Sequence, residues 1–158
     1  MQVDTLRFGS IDVDEAKVIT FPDGIPGLEP HSRYVVLRFD ESYPIFWLQC
    51  IEDSEICLPV IDTFEALEDY AFDIGDDDVH ELGINGPEDL HVINVLVIPE
   101  SIEGMTVNLA APILMNTRTG RARQVILSGG KYNVRHPVFG ELCKLIKEDG
   151  HAGSVKED

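Results

Sequence analysis

The chain has 158 residues, 44% of them hydrophobic, and a formal net charge of −17. That length suits one domain around a well-buried core, and that hydrophobic content excludes a disordered chain. The charge disfavours direct binding to a nucleic-acid backbone, which would repel it, and no apolar run is long enough to cross a membrane.

The opening MQVDTLRF alternates like a strand and has no basic start followed by an apolar h-region. A soluble, cytoplasmic protein is therefore expected. Runs rich in Val, Ile, Phe and Tyr, bounded by turn residues, predict strands over residues 2–8, 17–21, 34–39, 45–51, 57–63, 70–74, 91–98, 106–108, 112–116 and 123–127. Phe8-Gly9-Ser10-Ile11 and Arg118-Thr119-Gly120-Arg121 read as tight turns, the second joining a hairpin.

The second strand runs into ITFPDGIPGLEP, Ile19 to Pro30, which leads toward the third. Pro22 ends a strand because it lacks a ladder donor. Asp23-Gly24 is a turn. Ile25-Pro26-Gly27 fits a type II turn, with Pro26 fixing φ and Gly27 supplying φ > 0. Only Asp23 and Glu29 could titrate there, so the loop reads as a corner or a recognition surface, not a catalytic loop.

Two helices are expected. Residues 76–83 begin with Asp76, Asp77 and Asp78, which favour the positive end of a helix dipole, and end at Gly83, a left-handed cap. Residues 139–148 would place Leu142, Leu145 and Ile146 on one face. The expected architecture is mainly β: a single antiparallel, barrel-like domain over residues 1–149 with one or two short helices, then a mobile tail over 150–158.

Chemistry-bearing motifs are scarce. No G-x-S-x-G, P-loop, H-E-x-x-H or G-x-G-x-x-G occurs, and the five histidines are scattered. Cys50, Cys57 and Cys143 form no C-x-x-C pair, so neither a disulfide framework nor a zinc knuckle is indicated. The Asp76–Glu81 cluster lacks the alternating ligands and central glycine of an EF-hand, and a helix N-terminus explains it. Neither an enzyme nor a cofactor is expected.

Charge placement says more. No Lys or Arg lies between Arg38 and Arg118, and no acid lies between Glu103 and Glu141. Such a surface either aids solubility or steers a basic partner.

The segment Val18-Ile-Thr-Phe-Pro-Asp-Gly-Ile-Pro-Gly-Leu-Glu resembles the N-terminal signature of the flagellar assembly factor FliW family. Ile45-Phe-Trp-Leu-Gln-Cys, Leu58-Pro-Val-Ile-Asp-Thr-Phe, Asn108-Leu-Ala-Ala-Pro-Ile-Leu-Met-Asn and Gln124-Val-Ile-Leu look like its later blocks, in order. The similarity runs from about Val3 to Leu127 and weakens after Lys131. It implies a β-barrel-like fold, no enzymatic activity and two protein partners. One is flagellin, held before export. The other is the carbon storage regulator CsrA, an RNA-binding translational repressor. Released from flagellin, such a protein would take CsrA off flagellin messenger RNA. Competing readings are an acidic nucleic-acid mimic that inhibits another basic protein, and a small metal-binding hydrolase. A monomer is expected when free.

The residues expected to meet partners are Ile25, Pro26, Phe46, Asp62, Phe64, Asp69, Asp73, Asp76, Asp77 and Asp78. Phe46, Trp47 and Phe64 are interleaved with acids and read either as core or as anchors. Phe64 is the expected exposed anchor within an acidic rim.

Overall fold

The computed structural model describes residues 1–157, with side chains through Glu148. Strands β1 (Gln2–Thr5) and β2 (Gly9–Asp12) form an N-terminal hairpin. Then come β3 (Ile19–Thr20), β4 (Arg33–Leu37), β5 (Phe46–Cys50), β6 (Cys57–Asp62), helix α1 (Thr63–Ala66) and helix α2 (Asp76–Leu82). The rest is β7 (Leu90–Val97), β8 (Thr106–Val107), β9 (Ile113–Asn116), β10 (Ala122–Gln124), β11 (His136–Pro137) and helix α3 (Phe139–Glu157).

The main sheet runs β10-β9-β7-β6-β5-β4-β3, with every neighbour antiparallel, and β8 joins β7 to β11. Its strands are buried on both faces, which is why Ile113-Leu114-Met115 is a continuous apolar run instead of an alternation. One face packs Phe21, Tyr34, Leu48, Val60 and Ile93 under the proline-rich loop. The other packs Ile61, Leu82, Val92, Leu96 and Leu142 under the helices. A third cluster seats the N-terminal hairpin, through Val3 and Val13, on Val35 and Leu37.

The expected antiparallel, mainly β architecture with few helices is found. The two end strands meet at one parallel bridge, Thr20 opposite Arg121, where the Thr20 N–H donates to the Gly120 carbonyl at 2.8 Å. A ladder closing the sheet into a barrel is not found among the described residues. Gly27 has φ 89°, and the Leu28 N–H donates to the Ile25 carbonyl at 2.7 Å, so the type II turn forms. Gly83 caps α2 at φ 68°. The 118–121 turn joins β9 to β10.

Several expectations are corrected. The first turn falls at Leu6–Phe8, ahead of β2, so Ser10 and Ile11 are strand residues. Residues 70–74 form no strand and pair with none among the described residues. The Tyr132 hydroxyl bridges both backbone groups of Ala71, at 2.8 and 3.0 Å, in place of a ladder. Ile146 is 50% exposed, whereas Leu142 is buried and Leu145 packs beside it. The tail expected over 150–158 falls outside the residues whose side chains are described.

Candidate partner-binding face

The chain turns sharply where β6 becomes α1, and that corner carries the exposed Phe64. Thr63 is buried, and its hydroxyl donates to Asn94 Oδ1 on β7 at 2.5 Å. Asn94 Nδ2 donates to the Asn108 carbonyl at 2.7 Å and to the Tyr70 hydroxyl at 3.3 Å. The Tyr70 hydroxyl donates to the Leu109 carbonyl at 2.6 Å. This buried network fixes α1 and the segment after it, because each polar group would be costly to leave unpaired.

Phe64 therefore projects from a rigid base at 46% exposure. Its ring stacks on Phe72, with centroids 6.2 Å apart, and lies near Tyr70, which in turn packs edge-on against Tyr132. Acids surround it. A groove of about 360 Å³ between α1 and α3 is lined by Glu65, Glu68, Asp69, Glu141, Glu148 and the single base Lys144. Asp69, Asp73, Asp76 and Asp77 are exposed and make no ion pair among the described residues.

Other expected contacts lie elsewhere. Ile25 (4% exposed) and Phe46 (8%) are core residues and present no surface to a partner. Pro26 is exposed at the tip of its loop. Asp78 is partly buried and paired with Arg123 at 3.0 Å, so its charge is already matched. Asp62, one residue before α1, does not cap the helix. It takes a two-point contact from Arg38 at 2.8 and 3.2 Å, and His91 Nε2 lies 2.7 Å away. Burial would raise its pKa, but the hydrogen bonds from His91 and Arg38, with the Arg38 charge, bring it down to about 2.

No short motif signalled the Arg38–Asp62–His91 cluster, because its members come from β6, β7 and the residue just after β4. A second groove of about 610 Å³ opens beside it, lined by Val13, Val35, Leu37, Phe39, His91 and Met115 among others. Its lining comes from β3, β4, β7, β9 and the segment after β2, which lie far apart in the chain. The acidic helix N-terminus at Asp76 is explained by α2 itself.

A family model described as "FliW protein" matches residues 2–138. The flagellar assembly factor FliW of Alkaliphilus metalliredigens is 32% identical to the chain, over 99% of the chain and 98% of that protein. The protein of the same name from Ruminiclostridium cellulolyticum is 38% identical, over 91% of the chain and 98% of its own length. A crystal structure of the flagellar assembly factor FliW superposes with a TM-score of 0.82 at 27% identity, covering 88% of the chain and 97% of the solved one.

Proposed function

The chain belongs to the FliW family, and from that premise we propose that it is a cytoplasmic partner-switching regulator of flagellum assembly, which holds flagellin and antagonises CsrA. The family is one of flagellar assembly factors, not of enzymes. A barrel-like closure of the sheet at the Thr20–Arg121 contact belongs to the same reading.

The observation that supports binding is the aromatic anchor in its acidic setting. Phe64 is exposed and held on a rigid corner, and Glu65, Glu68 and Asp69 line a groove on the same helix, α1, and just after it. Aromatic anchors dominate interface energies, and a rim of one sign speeds encounter with a partner of the other. An RNA-binding repressor must be basic, so an acidic antagonist is steered to it and repels RNA at the same time. The free protein is read as a monomer.

The test combines labelled RNA, CsrA and this protein, with and without flagellin. The protein should release RNA from CsrA, and flagellin should return CsrA to the RNA. Failure of flagellin to do so excludes competition between the partners. Phe64→Ala should weaken at least one complex by roughly 2 kcal/mol without unfolding the protein. Unchanged calorimetric binding to both partners sinks the assignment of this face.

A further inference from the structure

We propose that His31, Cys50 and Glu52 form a site for a zinc-class divalent cation where the β5–β6 turn meets the segment entering β4. One ligand atom from each lies within 4.8 Å of the others. A tetrahedral ion with bonds of roughly 2.0 to 2.3 Å sets ligand-to-ligand edges of roughly 3.5 Å. Closing the shell therefore asks for movements of about an ångström. Nitrogen, sulfur and oxygen donors together suit zinc and its neighbours, whereas magnesium and calcium prefer oxygen alone.

Four features prepare the residues for this role. The Glu52 carboxylate is held in place through one oxygen, Oε1, which accepts the Ser32 and Arg33 N–H groups at 2.6 and 2.9 Å. Its Oε2 is left for another partner. Cys50 is fully buried and forms the inner end of the cluster. Asp53 Oδ2 lies 3.7 Å from His31 Nε2, and a carboxylate is the usual outer partner of a ligating imidazole.

The fourth feature is an orphan. Tyr34 pairs with Cys50 across β4 and β5, and its hydroxyl is buried with no hydrogen-bond partner among the described residues. A buried hydroxyl without an acceptor is costly. A metal-bound thiolate beside it would supply one. His31 is half-buried and Glu52 exposed, so an ion can enter from solvent and meet Cys50 as the inner wall. The missing C-x-x-C motif hid the site, since the histidine lies nineteen positions before the cysteine by their numbers.

The experiment uses the untagged full-length chain, stripped with a chelator and titrated with Co²⁺, then with Zn²⁺ in competition. A thiolate-to-cobalt charge-transfer band should grow to saturation at one equivalent. It should vanish in Cys50→Ser and persist in Cys57→Ser and Cys143→Ser. Zn²⁺ affinity should fall roughly tenfold or more in His31→Ala and in Glu52→Gln, and rise with pH as the thiol proton is displaced. Glu52→Gln keeps an oxygen for the Ser32 and Arg33 N–H groups, so it separates metal binding from loop structure. If Cys50→Ser does not fold, the His31 and Glu52 variants decide. Absence of the band at one equivalent, or unchanged band and affinity in both of those variants, overturns the proposal.

Discussion

Gly24 and Gly27 sit three residues apart in one loop, yet substituting them should fail for different reasons. A Cβ on Gly27 meets nothing within 4 Å, so Gly27→Val suffers only from φ 89°. We expect a loss of about 1–3 kcal/mol in urea unfolding. A Cβ on Gly24 would lie 2.8 Å from the Glu29 Cα, a backbone atom that cannot swing aside. Gly24→Ala should therefore cost more than Gly27→Val although alanine is smaller, and equal losses would contradict the geometry. Asp62 sets a pH dependence. Its folded pKa, about 2, lies below the ordinary 3.8. The stability it adds is present above the unfolded value and is lost as pH falls toward 2, on the order of 1–2 kcal/mol in all for a partly exposed carboxylate. Asp62→Asn should lower the melting temperature at pH near 7, and the gap from the parent should shrink at pH near 2. The turn chemistry at Pro26-Gly27 was legible because φ preferences act within a few residues. The role of Asp62 was not, since Arg38 and His91 reach it only after three strands align.

At the scale of elements, hydrophobic runs located nearly every strand of the main sheet, because both faces are covered and long apolar stretches have no alternative. The same rule misled at residues 70–74. Tyr70, Phe72 and Ile74 alternate as a strand would, but they pack under Phe64 and α3 while the backbone bonds to Tyr132. Burial, not pairing, created the pattern. Helix α1 escaped notice because four residues carry too little periodicity. Its anchor gives a prediction. Asn94→Leu leaves the Thr63 hydroxyl and the Asn108 carbonyl without their partner, and should destabilise the fold by about 2–4 kcal/mol. At temperatures where that variant remains folded, it should also weaken the complex made through Phe64, a residue it does not touch. Parent-like affinity there would show that α1 is held by packing alone.

For the molecule as a whole, charge was readable in composition, but its matching was not. Arg123 neutralises Asp78 and lies 3.5 Å from Asp23, and Arg118 lies 3.6 Å from Asp89. Asp69, Asp73, Asp76 and Asp77 are among the exposed acids that make no ion pair among the described residues. Reversing all four to Lys should slow association with a basic partner and flatten its salt dependence, with a smaller change in dissociation rate. A dominant effect on dissociation would place these acids inside the interface. The contact between Thr20 and Arg121 bears on a different property, the behaviour of the protein at high concentration. An open sheet has two free margins, and a free margin invites another chain to add a strand and seed a precipitate. Here the ends of the main path are β3, two residues long, and β10, three residues long, and they meet at the Thr20–Arg121 bridge. Gly120 makes this possible: at φ 76° a Cβ would sit 2.9 Å from the Val18 carbonyl oxygen. Gly120→Val should part the two margins, and the variant should scatter light on mild warming at concentrations where the parent stays clear.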